Sequence, residues 1–177
     1  MIYKLLNISL NQLIGRTSFI LMNLLMFVYS IYAMIYLFDF VSQYNHTSDE
    51  KIIEEVNKTL NGIAGILVAL GVVMECRKTI MEMIDKPITQ MQEYLNEVAE
   101  YNGIGLLIIG LFMEIATAAI ETPNAILNTK GIEVYLFWLC FGLIAIAMVV
   151  EIDFIKDYIK SFFIKVKAKH SELEHHA

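Results

Sequence analysis

Residues Gly103 to Ile120 read GIGLLIIGLFMEIATAAI, and Glu114 is the one charged side chain among them. A helix this apolar on every face has no solvated side. The stretch is therefore read as membrane-spanning. Glu114 then lies roughly 15 Å deep at 1.5 Å per residue, near the bilayer midplane. An ionisable group there costs at least ~2.5 kcal/mol on insertion scales, which makes Glu114 a functional candidate by default.

The rest of the chain follows the same pattern. Of 177 residues, 57% are hydrophobic and 18% charged, and the mean hydropathy is +0.58. This exceeds the apolar share of ordinary globular domains. Apolar segments at about 17–38, 60–84, 103–121 and 132–152 predict an all-α integral membrane protein, a four-helix up-down bundle forming one domain over residues 1–172. Residues 1–16 and 88–101 have the stripes of short amphipathic interfacial helices. In the second, Ile88, Met91, Leu95 and Val98 form the apolar stripe, while Gln90, Glu93, Asn96 and Glu97 face water. Asp39 to Thr59 reads as a polar connection containing a short helix, and Asp85-Lys86-Pro87 as a helix break. After Glu151 the apolar stripe continues among lysines, as a basic surface helix or a straight extension of the fourth span.

Residues 173–177, Leu-Glu-His-His-Ala, have the look of an expression-tag remnant, so His175 and His176 are discounted as ligands. Cation counting sets the expected orientation. Lys4, Arg16, Arg77, Lys78, Lys86 and five tail lysines fall on one side, against Lys51, Lys58 and Lys130 on the other. That asymmetry places both termini in the cytoplasm of a cell with a multi-pass inner membrane protein.

Each span carries one strongly polar group in the cytoplasmic half: Asn23, Glu75, Glu114 and Glu151. Gly71, Gly110 and Ala147 stand one turn from the three carboxylates. Small residues mark packed faces, so the carboxylates are expected to turn inward. The first reading is a cation site built from Glu75, Glu114 and Glu151, with Cys76 as a further metal ligand. Carboxylates suit Mg, Ca, Mn or iron, and the thiolate would shift preference toward zinc. The second reading is a proton or transport-coupling role for the same groups. In the third they are structural: Glu75 and Glu151 snorkel or pair with Arg77 and Lys78, and Glu114 bonds a neighbouring helix.

Several absences narrow the chemistry. No histidine falls within a predicted span, so haem held by two histidines is disfavoured, and the Glu-x-x-His repeat of soluble di-iron bundles is missing. There is no Gly-x-Ser-x-Gly, phosphate-binding glycine loop or His-Glu-x-x-His, which disfavours an enzyme. No basic soluble domain exists to bind nucleic acid. Two cysteines, Cys76 and Cys140, both in apolar segments, read as buried thiols rather than a bridge. The expected partners are the lipid bilayer and either further copies of the chain or another membrane protein. The alternative function is accordingly a non-catalytic accessory or scaffold acting through helix packing, for which Gly62, Gly65, Ala69, Gly71 and Gly110 supply the close-approach surface. Glu55-Val56-Asn57-Lys58-Thr59 matches a bacterial N-glycosylation pattern, with helix capping by Asn57 as the competing reading.

Overall fold

A computed structural model describes residues 15–43, 50–85, 88–122, 126–127, 129 and 131–174. Among them the chain is all-helical: α1 (Arg16–Gln43), α2 (Glu50–Glu75), α3 (Arg77–Met83), α4 (Gln90–Glu121) and α5 (Glu133–Glu174). Four of these are long and apolar enough to cross a membrane, over Ser18–Ser42, Lys51–Glu75, Gln90–Glu121 and Glu133–Lys160. The amphipathic stretch expected before residue 15 and the terminal histidines lie outside the described residues.

One spacing rule explains why the four helices bundle. A buried stripe of α2 runs through Val56, Leu60, Ile63, Leu67, Leu70 and Met74, in alternating steps of four and three. In α5 it runs through Phe137, Cys140, Ile144, Ala147, Glu151 and Phe154. α1 follows with Phe19, Asn23, Met26, Ser30, Ala33 and Leu37, and α4 with Leu95, Ala99, Asn102, Leu106, Ile109, Met113 and Ala116. This is the heptad seam of antiparallel bundles, which keeps one narrow stripe of each helix on its partners. The remaining faces stay apolar and exposed, as in Leu25, Tyr32, Ile35, Phe112, Ile115 and Val149. That distribution suits lipid rather than water.

Packing is uneven. α2 lies along α4, α4 along α5, and α5 along α1, whereas α1 and α2 barely touch. The α2–α4 contact is the closest, and glycines permit it. A Cβ added at Gly110 would meet the Val68 side chain at 2.8 Å and the Ala64 carbonyl at 2.9 Å. Gly62 and Gly65 have nothing within 4 Å of an added Cβ, so only part of the expected small-residue surface is used. Between α1 and α2 a groove of about 340 Å³ remains, lined by Met22, Leu25, Met26, Tyr29, Ile66, Ala69, Leu70 and Val73.

Several sequence expectations need correction. The helix of the second span begins at Glu50, ten residues earlier than expected, and Val56 already lies on the seam. The stretch 88–101 is no separate surface helix. Residues 90–101 form the first three turns of α4, and Asn96 is buried instead of facing water. Thr89 starts that helix with a capping box: its hydroxyl accepts from the Gln92 backbone N–H, and the Gln92 side-chain oxygen accepts from the Thr89 N–H at 2.9 Å. The break before it is made by Asp85, at φ 51°, a conformation that Asp tolerates better than most residues. After the fourth span α5 continues without interruption to Glu174.

Candidate functional site

Three contacts fix the relative heights of the helices. Phe19 meets Phe154 edge-on, with ring centroids 5.6 Å apart, and Phe40 meets Phe137 in the same way at 5.5 Å. These set α1 antiparallel to α5. Gly105 packs against Val150, whose methyls would lie 3.8 Å from an added Cβ, and this sets α4 against α5. Gly71 and Gly103 meet backbone to backbone and set α2 against α4.

The sequence candidates can now be placed. Glu151 lies on the α5 seam and is fully buried. Glu75, the last residue of α2, is near that height, because its backbone N–H abuts Gly103, but its side chain is exposed. Glu114 lies nine residues beyond Gly105, about 13 Å further along the axis, and is half-buried on the flank of α4. Cys76 is half-buried at the junction of α2 and α3. Among the described residues no three His, Cys, Asp or Glu side chains gather where they could hold a metal ion. Glu75, Glu114, Glu151 and Cys76 are thus not brought to one point. Depth along each helix was a poor guide because it left out rotation about the axis.

The seam instead collects a different polar set at the Arg77 end of the bundle. Arg77 is buried, its guanidinium donates to the side-chain oxygen of Asn96, and its Cζ lies 5.2 Å from the centre of the Phe19 ring. This is a cation–π and hydrogen-bonded layer. One turn further into the bundle, Asn23 follows Phe19 by four residues and Glu151 precedes Phe154 by three. The Phe19–Phe154 contact therefore brings Asn23 and Glu151 to the same level on facing seams. Asn102 on α4 is buried at that level too, three residues before Gly105.

The hydrogen bonding of this second layer is incomplete. Asn23 Nδ2 donates to the Phe19 carbonyl at 2.9 Å, and Asn102 Nδ2 to the Val98 carbonyl at 2.8 Å. Asn23 Oδ1 and both oxygens of Glu151 have no hydrogen-bond partner among the described residues. A carboxylate buried without donor or cation is a high-energy arrangement, since several kcal/mol of solvation are forfeited with nothing in return. Asn23 and Asn102 fall on the three-four spacing of their apolar neighbours, whereas Asn96 lies beside that stripe and Arg77 lies past the end of α2. The sequence expectation has the three carboxylates turning inward instead of these four groups.

At the opposite end the polar contacts bridge helices, although Asn57 Oδ1 is buried with no hydrogen-bond partner among the described residues. Asn57 Nδ2 donates to the Thr117 carbonyl at 3.2 Å and to Glu121 Oε1 at 3.1 Å. Asn57 is buried, 2% exposed, in the interior of α2. It therefore neither caps the helix nor offers a glycan acceptor in this fold; it ties α2 to α4. No family model, curated protein or solved structure matches the chain.

Proposed function

We propose that the chain is a multi-pass membrane protein that binds a cation at Glu151 within the bilayer, as a component of proton or ion movement. The observation that carries this reading is the fully buried Glu151 carboxylate with both oxygens unpartnered. A bound cation would supply the missing charge, and Asn23 Oδ1, likewise buried and unpartnered on the facing seam, would supply a neutral oxygen ligand. Intramembrane acids are rarely retained without such a role. The donor set is small. One carboxylate and one amide oxygen fall short of the six to eight oxygens of a calcium cage, so a proton or a cation that keeps other ligands fits better. The lysine and arginine asymmetry supports an orientation with the Arg77 end in the cytoplasm.

The test is a pair of measurements on the wild type and on Glu151→Gln, which keeps the shape and removes the charge. Metal analysis of the purified protein reads metal binding, and proton or alkali-cation flux in proteoliposomes reads transport. Loss of bound metal or of flux in Glu151→Gln supports the proposal. A wild type with no metal and with flux equal to that of Glu151→Gln would sink it, leaving the accessory role through helix packing.

A further inference from the structure

The side of the bundle between α1 and α2 is open. The two helices barely touch, and the groove of about 340 Å³ runs between them. Its α1 wall extends from Met22 to Tyr29 and its α2 wall from Ile66 to Val73. Each wall covers seven residue steps, about 10 Å at 1.5 Å per residue, so the groove runs along the bundle axis. Met26 and Leu70 form its floor; both are buried and both belong to the core. Tyr29 and Ile66, at one end, are exposed. The lining side chains are apolar, with the Tyr29 hydroxyl as the one exception.

The depth of the groove is specific. The α1 span begins at Ser18 and the α2 span ends at Glu75, both on the Arg77 side. Met22 lies about 6 Å and Tyr29 about 16 Å inside the first limit. Val73 lies about 3 Å and Ile66 about 13 Å inside the second. Half of the hydrocarbon core of a bilayer is about 15 Å thick. The groove therefore occupies a single leaflet, from just below the headgroups to the midplane, which is the range of a lipid acyl chain. Its width separates the possible occupants. A volume of 340 Å³ over about 10 Å leaves a mean cross-section of roughly 34 Å², about 6 Å across. A helix with its side chains needs about 10–12 Å. An extended hydrocarbon chain, with carbon contacts at about 4 Å, fits.

We propose that the groove holds one acyl chain of a phospholipid from the leaflet on the Arg77 side, and that this chain closes the wall which α1 and α2 leave open. Apolar surfaces gain nothing by leaving lipid for one another, so in a bilayer the quality of contact decides what fills a gap. An unfilled groove would forfeit the dispersion contacts of its lining. A chain seated on Met26 and Leu70 has protein on both sides and beneath it, whereas lipid against the outer face at Phe112 and Ile115 touches protein on one side only. The pliable side chains of Met22 and Met26 suit a flexible occupant. The proposal is independent of any cation at Glu151.

The test uses the full-length protein, reconstituted in dioleoylphosphatidylglycerol vesicles, extracted in detergent and washed. Native mass spectrometry then counts the lipid retained. The wild type should keep a single phospholipid per chain. Ala69→Phe, which places a ring in the groove, should lose it; Ala118→Phe, which adds the same ring at an exposed position of α4, should keep it. Thermal unfolding supplies the second measurement. Returning the lipid to stripped protein should raise the Tm of the wild type and of Ala118→Phe and leave that of Ala69→Phe unchanged. Stripped Ala69→Phe should unfold no lower than stripped wild type, because its ring fills the same space. A wild type that retains no lipid overturns the proposal, as does equal retention by Ala69→Phe or an Ala69→Phe that unfolds below the stripped wild type. A dimer that Ala69→Phe dissociates also overturns it and assigns the groove to a second copy of the chain.

Discussion

Gly71 and Gly103 meet backbone to backbone, and each forbids a side chain on the other. A Cβ on Gly71 would lie 2.7 Å from the Gly103 carbonyl oxygen, and a Cβ on Gly103 would lie 2.7 Å from that of Gly71. Neither obstacle is a flexible side chain, so the helices themselves must separate. Gly71→Ala is expected to destabilise the bundle by about 1–3 kcal/mol, the usual range for overpacking a tight interface. Gly62→Ala, with open space around its Cβ, is expected to be neutral or stabilising by up to about 1 kcal/mol through the helix propensity of alanine. Thermal or denaturant unfolding of both variants in detergent checks the contrast, and equal effects would contradict the assigned contact.

Glu114 and Glu75 separate from Glu151 in their expected behaviour. Glu114 lies about 13 Å further along the axis than the Gly105–Val150 contact, and Glu75 is exposed. Glu75→Gln and Glu114→Gln should each retain the cation binding and flux of the wild type, while Glu151→Gln loses them. Isothermal titration with the bound ion, or flux measured for the three variants side by side, reads this directly. A Glu114→Gln as impaired as Glu151→Gln would restore the three-carboxylate cluster.

Asn57 is the principal polar tie at the far end, through its bonds to the Thr117 carbonyl and Glu121. Asn57→Ala leaves that buried carbonyl without its side-chain donor and should cost about 1 kcal/mol, up to ~2 kcal/mol. The same burial predicts that the protein carries no glycan at Asn57 when it is made alongside a bacterial oligosaccharyltransferase. Intact-mass measurement settles the second point, and unfolding the first.

Arg77 holds the layer beneath Glu151 by stacking on Phe19 and donating to Asn96. Removing it as Arg77→Ala should cost about 2–3 kcal/mol, combining the lost cation–π contact with an Asn96 oxygen left unsatisfied. Arg77→Lys keeps the charge but not the planar fork, and should recover less than half of the loss. A fully stable Arg77→Lys would show that only the charge mattered. Unfolding of the two variants at equal detergent concentration distinguishes them.

The all-helical, four-span character was legible from the chain because it rests on one-dimensional quantities. Length and hydropathy decide whether a segment can cross a bilayer, and every backbone polar group must then be satisfied within its own helix. Glu151 was legible as a candidate for the same reason: a carboxylate beside the seventeen-residue apolar run from Val134 to Val150 is conspicuous wherever it points. Rotation and register were not legible in that way. Glu114 looked the foremost candidate by depth, yet it lies on a flank, and Asn96 looked solvated, yet it is buried and bonded to Arg77. Which residues of a helix face inward depends on how its seam meets those of the neighbours, and that depends on contacts such as Gly71 with Gly103 and Phe19 with Phe154, more than fifteen residues apart in every case. The chain thus announces how many helices there are and that they prefer lipid. Packing between helices selects Asn23, Asn102 and Glu151 as the groups that share a level, because only the folded bundle sets both the rotation and the height of each helix.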